Sequence, residues 1–363
     1  MAEPGASGRV AIGSHIYTVD LQDAETRRQP GVTRASREDA MNRRCVALAI
    51  ALSALTFPSG SALAQTYPNR PIRIIVPFAA GGAVDSLARL LGNKLSEQLN
   101  QPVVVENRVG AGGNLAPDAL AKAAPDGYTI LLTTNGLAIS PSLYRTLPFD
   151  VHKDFVPVTQ VVASQLVIAA HPKLAANSIA ELIALAKAKP GGLNYGSTGI
   201  GNPLHLTMEM LKTAAGIDIQ AVPYRGDAPL NAALIAGEIQ VGVVPMATTL
   251  PHLQNDLLKA LAVGGALRAA ALPNVPTVAE TIPGFESSSW QGLFVPANTP
   301  REIVMTIQRE IAKALKAPDL IERLKTGGNE AVGSTPGEFD ARFRADIAKF
   351  AKIVKDARIP TQD

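Results

Sequence analysis

The stretch RIIVPFAAGGAVDSLARLL, from Arg73 to Leu91, carries the pattern from which the fold of this chain can be predicted. Its apolar run ends at Pro77-Phe78, a turn containing Gly81-Gly82 follows, and apolar residues then recur at spacings of three and four. The run predicts a buried strand, and the later spacing predicts one face of a helix. A strand that leads through a glycine turn into a helix can present backbone N–H groups to an anion. We therefore expect an anion-binding loop here, with free amides where the helix begins.

Strands and helices alternate through the rest of the chain. Apolar runs predict strands at Val103–Val105, Thr129–Thr133, Phe155–Ala170, Leu193–Tyr195, Gln220–Val222 and Ile239–Val244. A capping box at Ser178 predicts a helix start, and Thr299 and Thr335 are expected to be the N-caps of two later helices. A second glycine loop, Gly196–Gly201, precedes a helix predicted over Leu204–Ala215. This alternation favours an α/β fold with largely parallel sheets, and the two glycine loops favour a ligand cleft between two lobes.

The first 64 residues are expected to lie outside the folded product. Met41–Arg44 is basic, Cys45–Phe57 is apolar, and Ala62-Leu63-Ala64 ends in an A-x-A cleavage pattern that leaves Gln65 as the mature N-terminus. This order is typical of a secretory signal peptide, and its apolar run is too short to span a bilayer. Residues 1–40 are polar and lack a pattern, so we treat them as an upstream extension. Cleavage would remove the only cysteine and with it any disulfide chemistry.

Composition narrows the function classes further. A formal net charge of +3 over 363 residues argues against a nucleic-acid partner. After the leader, the chain has no run of 18 apolar residues, so we expect a soluble, secreted product. The length beyond residue 64 is more than one compact core usually holds, which favours two lobes.

Three alternative chemistries each require a motif that this sequence lacks. The segment Gly81–Asp85 lacks the dinucleotide fingerprint G-x-G-x-x-G, and no P-loop lysine motif occurs, so no nucleotide cofactor is predicted. Ser197 and His205 lie eight residues apart, but the G-x-S-x-G pattern of a nucleophile elbow is missing and no acid is placed to orient His205. A secreted serine hydrolase using Ser197 is therefore kept only as the alternative function. The histidines beyond residue 64 are isolated along the chain, and no metal site is predicted.

An ordered set of motifs resembles one known family. PFAAGGAVDSLAR, ENRVGAGGN, NYGSTGIGNPLHL, VPYRG, LPHLQ and PNVPTVAE, in this order, are similar to motifs of the substrate-binding proteins of tripartite tricarboxylate transporters, the Bordetella uptake gene family. The resemblance covers Tyr67 to Ile359. It implies a type II periplasmic-binding-protein fold with two mixed sheets, and a receptor without enzymatic activity. Such a receptor closes on a small carboxylate and delivers it to the membrane subunits of a secondary transporter. We expect a monomer.

The resemblance also implies a set of ligand-binding residues. These are Phe78, Ala80, Gly81, Gly82 and Asp85 in the first loop, Thr134 and Asn135 at a strand end, Ser197, Thr198, Gly199 and His205 in the second loop and its helix, and Tyr224 in the PY[KR]G turn. Structural roles remain open for several positions. Asp85 would serve equally as a helix cap, His205 as a packed histidine, and Trp290 as core or hinge.

The kind of carboxylate was inferred from one further position. The family pattern often has an aspartate where this chain has Pro245, which offers no side-chain acceptor to an ammonium group. We therefore expect a small carboxylate without an amino group. The first lobe is predicted to combine residues 67–165 with 291–363, and the second to span residues 166–290, with two crossing strands as the hinge.

Overall fold

The computed structural model describes residues 67–199 and 201–362, together with the backbone of two short strands near the N-terminus. Strands β1 (Arg9–Ile12) and β2 (His15–Thr18) pair antiparallel within the predicted upstream extension. Both carry β-branched residues, which favour strands. The predicted signal peptide lies outside the described residues. Within the described part of the chain, no helix is long and apolar enough to cross a membrane.

Two mixed sheets organise residues 67–362. The first has six strands in the order β13-β6-β12-β5-β3-β4. Its members are β3 (Ile72–Val76), β4 (Val103–Asn107), β5 (Thr129–Thr134), β6 (Phe155–Ser164), β12 (Ser289–Pro296) and β13 (Asn329–Ala331). Strands β3, β4 and β5 are parallel, whereas β12 runs antiparallel to β5 and β6. The first sheet is therefore mixed. Its antiparallel strand β12 is the one by which the chain returns from the second sheet.

The second sheet has five strands in the order β11-β7-β10-β8-β9. They are β7 (Leu166–Ala170), β8 (Asn194–Ser197), β9 (Gln220–Pro223), β10 (Val241–Pro245) and β11 (Lys259–Val263). Here β8, β9 and β10 are parallel, and β7 is antiparallel to β10 and β11. Each sheet with its helices forms one lobe. The lobe built on the six-stranded sheet is called the first lobe, and the lobe built on the five-stranded sheet is called the second lobe.

Helices cover both sheets. In the first lobe they are α1 (Ala83–Leu99), α2 (Leu115–Ala121), α3 (Gly136–Leu143), α8 (Arg301–Ala314), α9 (Pro318–Thr326) and α10 (Pro336–Asp356). In the second lobe they are α4 (Ile179–Ala188), α5 (Pro203–Ala215), α6 (Asp227–Ala236) and α7 (Met246–Gln254). The predicted apolar face of α1 is confirmed, because Leu87, Leu91 and Leu95 are buried in the core against the first sheet.

The two predicted threonine caps differ in the structure. Thr335 forms a full capping box with Glu338 at the start of α10. Helix α8, in contrast, begins after Pro300 without a side-chain cap, so the expectation for Thr299 was wrong. The hydroxyl of Thr299 instead donates to the carbonyl of Pro296 at 2.7 Å, and Pro300 takes the N-cap position.

Two short segments connect the lobes. The chain passes from β6 to β7 through Gln165, and it returns through Ser287 and Ser288 into β12. Trp290, near the start of β12, is fully buried and donates from Nε1 to a carboxylate oxygen of Asp346 at 2.6 Å. Its ring packs edge-on against Phe339. Of the roles that the sequence left open for Trp290, the structure therefore shows a core residue of the first lobe.

Candidate functional site

A small cavity lies between the lobes, close to the connecting segments. The first lobe contributes Phe78, Ala83, Val84, Thr134, Ser164, Ser289 and Gln291, and the second contributes Leu166, Thr198, Asn202, Pro203, Leu204, Asp227 and Pro245. Its volume is about 50 Å³. Because a buried water needs roughly 10–15 Å³, this is room for a few waters or part of a small ligand. A ligand here would touch both lobes, so its binding would couple to their approach.

The first glycine loop lies beside this cavity, but its amides are already hydrogen-bonded. The N–H of Gly81 donates to Asp85 at 2.9 Å, and the N–H of Ala83, the first residue of α1, donates to Asp227 at 2.9 Å. Gly82 itself is buried, whereas Ala80 and Gly81 are exposed. The expectation of free amides at this helix start is wrong for Gly81 and Ala83, because side-chain carboxylates from the same chain occupy them.

Asp85 holds the loop in shape and does not line the cavity. Its carboxylate accepts from Arg89, which donates from two nitrogens, and from the side chain of Asn107. Burial by itself would raise the pKa of Asp85, but the hydrogen bonds from Arg89, Gly81 and Asn107 lower it overall. Asp85 therefore stays ionised and ties α1, β4 and the glycine turn together, which is a structural role.

Asp227 reaches across from the second lobe to the first. It is the first residue of α6, and its carboxylate meets the start of α1 through the N–H of Ala83. A methyl group built on Gly82 would lie 3.1 Å from the same carboxylate oxygen. Burial raises the pKa of Asp227, and the hydrogen bond from Ala83 offsets this only in part. An ionisable group is thus held at the place where the sequence predicted a ligand carboxylate.

The second glycine loop is capped by its own asparagine. The side-chain oxygen of Asn202 accepts from the N–H groups of Leu204 and His205 at 2.9 and 3.0 Å. Its amide nitrogen donates to Thr198 Oγ1 at 2.8 Å. The prediction of free amides before Leu204 is therefore wrong for these two residues, since an N-cap asparagine satisfies them. Thr198 and Asn202 nevertheless line the cavity with polar atoms.

Ser197 and His205 are not hydrogen-bonded to each other. The hydroxyl of Ser197 donates to the carbonyl of Gly199 at 3.5 Å, which is a long contact. Within the described residues, His205 Nδ1 has no hydrogen-bond partner. Burial lowers the pKa of His205, so the ring is neutral at physiological pH. It packs near the ring of Tyr195, 6.4 Å between centroids, which is the packed-histidine role that the sequence left open.

The remaining predicted residues divide into cavity walls and supports. Phe78, Thr134 and Pro245 line the cavity. Asn135 is buried one residue further on, where it donates to the carbonyl of Ser288 at 3.2 Å and accepts from Ser289 at 2.8 Å. Asn135 thus fixes a connecting segment. Tyr224 packs against the second lobe's core and donates its N–H to Ser197, and neither Tyr224 nor Gly199 lines the cavity.

Sequence reasoning missed several cavity residues. Ser164, Leu166, Ser289 and Gln291 belong to the strands that meet at the hinge, where no loop motif marks them. Thr134 lies directly opposite Gln291 in the paired strands β5 and β12. Asp227 directly follows the PY[KR]G turn. The feature of the sequence that could have indicated it is a carboxylate at the start of a helix. Within the described residues, no cluster of three metal-ligating side chains occurs.

Two α/β lobes with a small cavity between them, lined by apolar and polar side chains, form the architecture of periplasmic binding proteins. The profile of the family described as "Tripartite tricarboxylate transporter family receptor" matches residues 87–358. BugT of Bordetella pertussis is 37% identical over 296 residues, which cover 81% of this chain and 91% of BugT. The chain belongs to this receptor family, as its motifs predicted, and the receptors of the family are periplasmic.

Solved structures of the same kind carry small acids. The Rhodopseudomonas palustris protein Rpa4515 with adipate aligns with a TM-score of 0.79 and 35% identity, covering 82% of this chain and all of that one. MatC from Rhodopseudomonas palustris with bound malate aligns with a TM-score of 0.76 and 29% identity, covering 79% and 100%. These likenesses confirm the two-lobed mixed α/β fold that the sequence resemblance implied.

Proposed function

We propose that this chain is a periplasmic receptor that captures a small carboxylate between its lobes for a tripartite tricarboxylate-type transporter. The observation that supports it most is the cavity, to which each lobe contributes hydroxyl or amide groups: Thr134 and Gln291 from the first, Thr198 and Asn202 from the second. Neutral donors can hold a carboxylate directly or through water. The adipate and malate in the neighbouring structures support a small acid as the ligand class.

The lobe boundaries and the compartment form part of the same proposal. The chain changes sheet at Gln165 and again before Ser289, so two connecting segments can act as the hinge. The signal-peptide pattern before Gln65 supports export, and family membership supports delivery of the ligand to membrane subunits. We propose that the exported receptor acts as a monomer and needs no cofactor.

We propose that the receptor binds its ligand without catalysing a reaction on it. Ser197 is 1% exposed and its hydroxyl is directed to a backbone carbonyl, and a nucleophile in that position has no base to activate it. This arrangement disfavours the serine-hydrolase alternative. Turnover of a generic ester that disappears in Ser197→Ala would nevertheless establish a hydrolase.

The decisive experiment identifies the ligand. Native mass spectrometry of protein purified without added acids should reveal a copurifying small molecule. A thermal-shift panel of succinate, glutarate, adipate, malate, citrate, nicotinate, benzoate, aspartate and glutamate should show stabilisation by at least one carboxylate. Binding without turnover supports the receptor, whereas a panel without any shift, together with a ligand-free mass spectrum, would refute it.

A further inference from the structure

Asp227 is the one carboxylate that lines the cavity among the described residues. It belongs to the second lobe, yet its oxygen is 2.9 Å from the N–H of Ala83 in the first. Asp227 is partly exposed as a residue because it lies at the rim, while its carboxyl group is enclosed in the contact between the lobes. Any ligand that fills the cavity therefore meets this carboxylate.

No described cation neutralises Asp227. Arg89, the first basic residue of the facing helix α1, forms its ion pair with Asp85 and also donates to Asn107. No ion pair within the described residues includes Asp227, and its hydrogen bond comes from a neutral amide. Buried charges in proteins are normally paired. Burial without a cation raises the pKa of Asp227, and a positive charge on the ligand would lower that pKa and hold the carboxylate ionised.

A second acceptor in the cavity wall also has no partner. Gln291 is 3% exposed, and its Oε1 makes no hydrogen bond to any described residue. The orientation of its amide follows from its neighbours. The single proton of Ser164 goes to Asn329 Oδ1 at 2.7 Å, so the oxygen of Ser164 accepts from Gln291 Nε2 at 3.4 Å. Gln291 Oε1 is left as a buried acceptor, and it needs a donor.

We propose, building on the proposed function, that Asp227 and Gln291 make this cavity selective for a carboxylate that also carries an ammonium group. An ammonium group supplies three N–H donors and a positive charge that can pair with the Asp227 carboxylate. A second carboxylate on the ligand would instead bring a like charge next to Asp227. The sequence expectation of a ligand without an amino group rested on Pro245 alone, whereas Asp227 and Gln291 are other residues of the cavity wall.

The test compares acids that differ only by an amino group. The test uses the protein that begins at Gln65. Isothermal titration calorimetry at neutral pH should compare the Kd of succinate with that of aspartate, and the Kd of glutarate with that of glutamate. The wild-type protein should bind the amino member of at least one pair about 10- to 100-fold more tightly, the range expected for a charge-assisted hydrogen bond. In Asp227→Asn this preference should vanish or reverse, because the charge is lost while the shape is kept.

Asp218→Asn is the matched control, since it removes the same charge from an exposed position of the second lobe. It should leave the preference unchanged, and far-ultraviolet circular dichroism should show that both variants fold. A wild-type protein that binds the amino-free acids as tightly would overturn the inference. An equal decrease in the Kd of both acids of a pair in Asp227→Asn would also overturn it. In that case Asp227 would only compete with the ligand for the N–H of Ala83.

Failure of the proposed function gives a different result. If carboxylates bind but their order does not depend on Asp227, only the inference fails and the receptor stands. If none of these acids and no other panel carboxylate binds the wild-type protein, the proposed function fails and the inference falls with it.

Discussion

Gly82→Ala should weaken ligand binding by acting on the contact between the lobes. The backbone at Gly82 has φ −76° and ψ 173°, a region open to alanine, so the substitution carries no backbone strain. Its new methyl group would lie 3.1 Å from the Asp227 oxygen and 3.4 Å from the carbonyl of Ala79. Only the first of these distances is too short for an ordinary contact. The carboxylate must therefore retreat by a few tenths of an ångström, away from the Ala83 amide.

The magnitude follows from the hydrogen bond that this retreat stretches. A hydrogen bond to a charged group contributes about 1.5–3 kcal/mol, and part of it is recovered when water reaches the Ala83 amide. We expect a loss of about 1–2 kcal/mol in the free energy of binding, which is roughly a 5- to 30-fold weaker Kd. The assay is calorimetric titration with the acid that gives the largest thermal shift.

A double-mutant cycle isolates the cause. When Asp227 is already alanine, the methyl group at Gly82 meets no carboxylate, so Gly82→Ala should then change binding by less than about 0.5 kcal/mol. Gly337→Ala, in open space on α10, is the control glycine and should not affect affinity. An equal loss with and without Asp227, or an unchanged Kd in Gly82→Ala alone, would refute this account of the lobe contact.

Four further outcomes follow from the structure. Ser197→Ala should alter carboxylate affinity by less than about 1 kcal/mol, since it removes only a long neutral hydrogen bond; a larger loss in titration would put this hydroxyl on the ligand. Gly196→Ala should lower the free energy of unfolding by about 1–3 kcal/mol in urea, because its methyl group would lie 2.4 Å from Ile239, and stability equal to that of Gly337→Ala would contradict it. Wild-type stability should fall as pH drops below about 6.5, since the unfolded chain protonates His205 while burial lowers the pKa of this residue in the fold. In His205→Gln the slope of unfolding free energy against pH between 6.5 and 5 should be smaller, and an identical slope would exclude His205 as a cause. The radius of gyration in small-angle scattering should decrease when a proven ligand is added, and an unchanged value would count against closure by the hinge.

The alternating α/β elements and the family could be predicted from the amino-acid sequence alone. The strand before Pro77, the face of α1 and the caps at Ser178 and Thr335 depend on residues close together in the chain. Local spacing is enough to predict such features, because each buries one face or satisfies one set of helix amides by itself. The ordered motifs fixed the receptor family for the same reason, since they are read along the chain.

The partners of the two glycine loops became visible only in the folded chain. The loops looked like free anion sites, but the first is occupied by Asp227, which lies 144 residues away in sequence from Ala83. The polar wall of Ser164, Ser289 and Gln291 arises where strands from distant segments pair at the hinge. Pairing across such separations is set by how the lobes fold together, and a side chain's partner across a cleft leaves no spacing to read in the sequence.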